Sequence, residues 1–221
     1  MIIEKQGNLM QTNAWIVAHQ VNCKGVMGAG VAKQIRNQLL TKSQYRSYQN
    51  FCNEHSTGFL LGKVLYFALE KSSGPQVLAN LFAEDTPTGM VLDTDYNALY
   101  RSLFNLFDYA MNHSEKKTIA IPAYLGCGLA GGDWNHVFSN IIKPIFDDSI
   151  VLKNDELELK TNVTLEIYYL KSAVERLKKE FAVISGKDSL PYISEVWHGF
   201  PVGTSKEYIK SWLEKQFGEK D

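Results

Sequence analysis

Residues 15–40 read WIVAHQVNCKGVMGAGVAKQIRNQLL, and this stretch decides the fold. Residues 15–19 form a continuous apolar run of the kind found in a strand buried on both faces. Glycines follow at Gly25, Gly28 and Gly30, and VAKQIRNQLL then reads as a helix. A glycine-rich loop between a strand and a helix lets the backbone approach a ligand closely. The helix start adds unpaired N–H donors and a partial positive charge. Together these features describe a phosphate cradle. The plainer alternative is a tight strand–helix turn with no ligand.

The pattern repeats outward from there. Residues 42–54 read as a second, polar-aromatic helix, and LGKVLYFALE and QVLANLF as strands. Tyr96, Leu99, Tyr100, Leu103, Phe104, Phe107, Ala110 and Met111 make a helical stripe, with Asp93 or Thr94 as its expected cap. TIAIPAY is a strand and leads into Gly126-Cys127-Gly128-Leu129-Ala130-Gly131-Gly132. Asp133 is the expected N-cap of a helix carrying Trp134, Val137, Phe138 and Ile141, which Pro144 should end or kink. NVTLEIYYL (162–170) is the last strand. Strands alternating with helices give an α/β layered domain with a largely parallel, buried sheet. Glycine turns after strands fall where such sheets bind ligands.

The character changes at residue 171. Ser172 and Glu175 fit a capping box, and Thr204 and Glu207 fit another. Between the two helices lies the aromatic stretch YISEVWHGFPVGT. We therefore divide the chain into a main domain, 1–170, and a compact, mainly helical extension, 171–221, that packs on the main domain or on a partner. Trp197, Phe200 and Trp212 read as the small core of that extension, and a protein partner for it is the sharper alternative.

Composition narrows the function. With 23 Lys+Arg against 24 Asp+Glu the net charge is -1, which argues against a broad nucleic-acid footprint. Cys23, Cys52 and Cys127 form no CxxC pair, so neither a disulfide framework nor a thiolate zinc site is expected. His55, His113, His136 and His198 lack ligand spacing, so no metal site and no cofactor is expected. The start MIIEKQGNLMQTNAW lacks signal-peptide character, and no apolar run is long enough for a membrane span. The expected location is the cytoplasm.

Two glycine loops at the ends of two buried strands suggest a clamp on both sides of a diphosphate. The second loop also matches GxGxxG, and Asp147 and Asp148 lie at plausible spacing for a dinucleotide site. That fingerprint normally opens the first strand–helix unit, however, and here it falls late. A Walker A loop is absent, because Gly62-Lys63 and Gly186-Lys187 lack the remaining motif residues.

Over residues 1–170 the sequence resembles the macrodomains, ADP-ribose-binding α/β modules. The resemblance is carried by His19-Gln-Val-Asn22-Cys-Lys-Gly25-Val-Met-Gly28-Ala-Gly30-Val-Ala and by Ile121-Pro122 through Gly126-Cys-Gly-Leu-Ala-Gly-Gly-Asp-Trp134. It is greatest to the ADP-ribose-1''-phosphate processing, phage-type subgroup. It implies a three-layer α/β/α fold around a mixed, largely parallel sheet. It also implies ADP-ribose or a derivative as ligand. Asn22 would touch the distal ribose. Gly25, Val26, Met27, Gly28, Ala29, Gly30 and Val31 would wrap that ribose and the diphosphate. Gly126, Cys127, Gly128, Leu129, Ala130 and Gly131 would close over the diphosphate from the other side. Asn8 and Leu9 would meet the adenine.

There are departures. The family's Gly-Asp after its first strand is Gly7-Asn8 here, where an amide oxygen replaces the carboxylate that accepts from adenine. The terminal ADP-ribose-cleaving members use a Lys near LANLFAED and an Asp in the second loop. This chain has no Lys in that strand and has Ala130 in that loop. A covalent lysine mechanism is therefore not expected. His19 and Asp85 are the candidate acid/base pair, and Cys23 and Cys127 read as packing residues. The implied function is hydrolysis at the distal ribose, by an ADP-ribose-1''-phosphate phosphatase or an ADP-ribosyl hydrolase. The alternative is a non-catalytic ADP-ribose reader.

Overall fold

The computed structural model describes residues 1–70, 74–113, 117–147, 150–153, 156–159 and 163–218. Asp148, Asn162 and the final three residues of the extension, each part of a sequence reading above, lie outside that set. A six-stranded sheet is the centre of the molecule, in the order β1 (Ile2–Gln6), β8 (Thr164–Tyr169), β5 (Thr118–Pro122), β2 (Ile16–Asn22), β4 (Val77–Glu84), β3 (Val64–Ala68). Every neighbouring pair is parallel except β3 with β4. A separate antiparallel pair, β6 (Ile150–Lys153) and β7 (Glu156–Leu159), was not legible in the sequence.

The apolar run in β2 is explained by burial on both faces. Ile16 and Ala18 join a cluster on one side of the sheet, and Val17 and Val21 join clusters on the other. Against the second face lie α1 (Gly30–Gln38), α2 (Lys42–Glu54) and α3 (Thr57–Leu60), through Ile35, Leu39, Tyr48, Cys52 and Leu60. Against the first lie α4 (Tyr96–His113) and the run from α5 (Trp134–His136) through a π-helical stretch, Val137–Ile142, to α6 (Lys143–Phe146). The result is a three-layer α/β/α fold with a small, mainly helical addition.

That addition comprises α7 (Lys171–Ser185) and α8 (Lys206–Phe217). Its apolar residues, among them Phe181, Ile193, Trp197, Leu213 and Phe217, continue the main cluster, with Phe200 and Trp212 packed against it. Polar contacts tie it down as well. His198 Nε2 meets Glu4 Oε2 of β1 at 2.8 Å with both side chains buried, and Lys143 Nζ donates to Gly199 O at 2.9 Å.

Several local expectations shift by a residue or two. Asp95, not Asp93 or Thr94, caps α4 by accepting from Ala98 N at 2.9 Å. Asp93 instead closes the preceding turn through Thr88 and Gly89. Pro144 does not end its helix. It sits in the first turn of α6, after the π stretch has changed the ladder, so its missing N–H leaves no gap. Leu170 stands at the N-cap of α7 without a side-chain bond, so the Ser172–Glu175 box does not form. Ser205, not Thr204, caps α8. Asp133 caps α5 as its type predicts, accepting from Asn135 N.

Candidate functional site

The cleft lies at the C-terminal ends of β2, β4 and β5. Its volume is about 640 Å³, within the range of roughly 300–1,000 Å³ usual for small-molecule sites. The first loop supplies Asn22, Val26, Gly28, Ala29, Gly30 and Val31 to its wall, and the second supplies Gly126, Gly128, Leu129 and Ala130. A second cavity of about 350 Å³, lined by Asn8, Leu9, Tyr168, Leu170 and Arg176, shares Val31, Pro122, Ala123 and Tyr124 with the first. The two cavities are therefore neighbours along one groove. The structure brings the two loops together across it.

The first loop is shaped by one side chain. Asn22 Nδ2 donates to Val26 O at 2.7 Å, and its Oδ1 accepts from Lys24 N and Val26 N, each at 3.1 Å. Its amide is largely spent on the loop, leaving one N–H of Nδ2 for a ligand. Gly25 takes a left-handed conformation beneath it. The loop then enters α1, whose N-cap Ala29 makes no side-chain bond. The first backbone bond into that helix is Lys33 N to Ala29 O. The N–H groups of Gly30, Val31 and Ala32 are thus the orphan donors of a helix start, and all three residues line the cleft.

The second loop is shaped by its neighbours. Thr94 Oγ1 donates to Gly126 O at 2.6 Å, and Asp93 N and Thr94 N donate to Ala130 O. These bonds occupy the Gly126 and Ala130 carbonyls. Among the described residues, the N–H groups of Gly128, Leu129 and Ala130 have no backbone partner. Met27 and Cys127 are buried beneath the loops. Burial pushes the Cys23 and Cys127 thiols up to about 12, so both stay protonated and inert at neutral pH.

The expected acid/base pair is not brought together. Asp85 is exposed, accepts from Lys24 Nζ at 2.7 Å and Thr57 Oγ1 at 2.9 Å, and does not line the cleft. The Lys24 bond first, then the Thr57 bond, hold its carboxyl below the usual range. His19 lines the cleft floor but is 1% exposed. Its Nε2 faces Asn80 Oδ1 at 2.9 Å, and Asn80 Nδ2 is committed to Leu65 O. Nε2 therefore carries the proton, and Nδ1 is buried without a partner. Burial pulls the imidazole down to about 4, outweighing the Asn80 bond, so it is neutral near pH 7.

Sequence reasoning passed over Glu84, the residue before Asp85. Glu84 ends β4, lines the cleft and is 9% exposed. Burial first, and the nearby Asp93 charge second, push its carboxyl up to about 7. The available signal was strand alternation. Continuing the period of β4 from Leu78 through Asn80 and Phe82 places Glu84 with His19's side of the sheet.

At the other end, Asn8 Oδ1 accepts from Met10 N at 3.0 Å. The oxygen expected to serve a ligand is thus already bonded, and Asn8 offers its free amide N–H groups as well. Arg176 of α7 lies over the Tyr124 ring at 4.1 Å and reaches Cys127 O at 3.4 Å. The addition thereby forms part of the groove wall. Among the described residues no group of His, Cys, Asp or Glu is arranged to hold a metal, and no helix is long and apolar enough to cross a membrane.

The fold matches that of solved macrodomains. The macrodomain of Mycobacterium tuberculosis DarG aligns at 22% identity and TM-score 0.58, covering 76% of this chain and 97% of that one. The macrodomain of Thermus aquaticus DarG aligns at 20% identity and TM-score 0.59, covering 76% and 98%. Thermosipho africanus DarTG, solved in complex with ADP-ribose, aligns at 20% identity and TM-score 0.54, covering 74% of this chain and 40% of that one. The sequence matches no protein-family model, and no curated protein matches it. The chain has the macrodomain fold. The GxGxxG of the second loop follows β5, in the middle of the sheet, and does not open a first dinucleotide-binding unit.

Proposed function

We propose that the protein binds ADP-ribose, or a derivative of it, along the groove and hydrolyses the bond at C1'' of the distal ribose. One observation carries the binding reading. Two sets of unpartnered backbone N–H groups, Gly30–Ala32 and Gly128–Ala130, line one cleft from its two glycine loops. Such donors suit a diphosphate and need no net positive charge on the chain. The ADP-ribose complexes of similar fold point to the same ligand. In this reading residues 1–170 form the ligand-binding unit, and residues 171–221 brace it through Arg176. Asp85 anchors Lys24 of the first loop, and His19 supports the end of β2 as a neutral side chain.

A second reading is a reader that binds without turnover. The separation of His19 from Asp85 favours it, because that pair would not act on one ligand. Calorimetric titration of ADP-ribose, with AMP and NAD as comparators, tests the binding reading. Micromolar affinity for ADP-ribose exceeding that for NAD is expected, and no binding removes the reading. Release of phosphate from ADP-ribose-1''-phosphate, or of ADP-ribose from a glutamate-linked peptide, then separates enzyme from reader.

A further inference from the structure

The cleft holds a carboxyl that neither the loops nor the core uses. Three residues of its lining can titrate: His19, Glu84 and Tyr124. His19 is buried and neutral, and burial raises the Tyr124 hydroxyl far above neutral pH. Glu84 makes no side-chain hydrogen bond or ion pair among the described residues. Its oxygens are not sealed in the core as unpartnered buried atoms, although the residue is 9% exposed. Its backbone is fixed by pairing with Asn22 of β2, by Cys23 N donating to Glu84 O at 2.9 Å and by a bridge to Thr94. The carboxyl therefore stands between the two loops on a rigid strand end, beside the loop-shaping Asn22.

We propose that Glu84 is the general base of a hydrolysis at C1'', acting on ADP-ribose derivatives whose leaving group is a carboxylate or a phosphate. The proposal rests on the functional reading above. In the step, the Glu84 carboxylate takes one proton from a water molecule as the water oxygen bonds to C1''. The C1''–O bond breaks, and its electron pair leaves with the oxygen of the departing acid. The proton on Glu84 then passes to solvent. The substrate class follows from the inventory of the cleft. A carboxylate or phosphate leaves as a stable anion and needs no proton. A serine alkoxide or an arginine guanidine needs an acid, and no second titrating group is poised to supply one.

The surroundings set the pH range. Asp93, before α4, is the acidic group whose charge reaches Glu84, whereas Asp85, next in the chain, is paired outside with Lys24 and Thr57 and Asp95 is spent capping α4. The first loop brings the Cys23 thiol and Lys24, the latter paired to Asp85. β2 brings neutral His19. Burial and Asp93 hold the Glu84 proton to about pH 7. A base acts when deprotonated, so kcat rises through that pH and levels above it.

The experiment compares wild type with Glu84→Gln on ADP-ribose-1''-phosphate, on a glutamate-linked and on a serine-linked ADP-ribosyl peptide, from pH 5.5 to 8.5. The expected result is a fall in kcat on the first two substrates of about 10²–10⁴, with ADP-ribose affinity within threefold and the pH rise abolished. The serine-linked peptide should turn over at least 100-fold more slowly than the glutamate-linked one. Glu84→Gln activity within tenfold of wild type, a flat wild-type profile, equal rates on the serine linkage, or no turnover by a protein that binds ADP-ribose each overturns the assignment of Glu84. Absence of ADP-ribose binding overturns the underlying reading as well. Should Glu84→Gln not fold, the wild-type pH profile and the serine comparison still decide.

Discussion

The two glycine loops read alike in the sequence and are built differently. The first loop is held mainly from within, by the three bonds of Asn22, and its Gly28 meets only Val26 Cγ1, at 3.7 Å, where a Cβ would stand. The second loop is pressed against its neighbours. A Cβ on Gly131 would stand 2.6 Å from Val91 O, in a backbone conformation of φ +70° that L side chains rarely adopt. Gly131 is therefore required by the fold, whereas Gly28 keeps space open on the cleft. At these two positions the same residue type answers to the backbone in one loop and leaves open space on the cleft in the other.

The largest expected effect tests the second loop. Gly131→Ala should cost roughly 2–4 kcal/mol in urea unfolding, from left-handed strain and the backbone clash. A loss below half a kcal/mol would remove the contrast between the loops. Gly28→Glu tests the first. It should melt within a few degrees of wild type yet weaken ADP-ribose binding at least 100-fold by calorimetry. A folded variant that binds normally would separate the first loop from the ligand.

Asn22→Ala sharpens the point that one side chain shapes the first loop. Three backbone groups lose their partner, and a loss of about 1–3 kcal/mol is expected in the same unfolding assay. The exposed Lys24–Asp85 pair should matter less, because surface ion pairs contribute little. Asp85→Ala should leave the melting temperature nearly unchanged and keep ADP-ribose affinity. A tenfold loss of affinity would return Asp85 to the site.

The smallest net effect comes from pH. His19 is pulled down to about 4 in the fold from 6.5, so its contribution to stability is present above pH 6.5 and lost as pH falls toward 4. Glu84 is pushed up to about 7 from 4.5, so its contribution is present below pH 4.5 and lost as pH rises through 7. The two slopes oppose each other over the same range, and wild-type stability should vary little between pH 5 and 6.5 from these groups. Glu84→Gln should unmask a rise in stability with pH there. A profile parallel to wild type would show that Glu84 titrates normally in the fold.

Much of the layering was legible because its signals are local. The apolar run at 15–19, the helical stripe of α4 and the glycines of both loops each state a burial pattern within a few residues. The β6–β7 pair was not legible, and the choice between the main domain and a partner for the extension stayed open until Trp197 and its neighbours were seen to join the main core, since both depend on contacts across the chain. Helix caps slipped by a residue because Asp93, Thr94 and Asp95 are all competent caps. The outcome follows from which of them the second loop claims: Thr94 bonds Gly126 O, and Asp95 is left to cap.

The acidic residues 84 and 85 show where the boundary lies. The sequence by itself determined that a carboxylate stands at the end of a buried strand beside a glycine loop. It could not say which one faces the cleft, because side chains alternate along a strand and a one-residue change of strand end exchanges inside for outside. Tertiary structure decided it. Pairing of β4 with β2 runs through Asn22 and Glu84, leaving Glu84 on the cleft and Asp85 outside with Lys24 and Thr57. Likewise, the sequence placed Asn8 after β1, and only the turn that follows committed its oxygen to Met10. Residue type sets what a group can do. The fold sets which partner reaches it first.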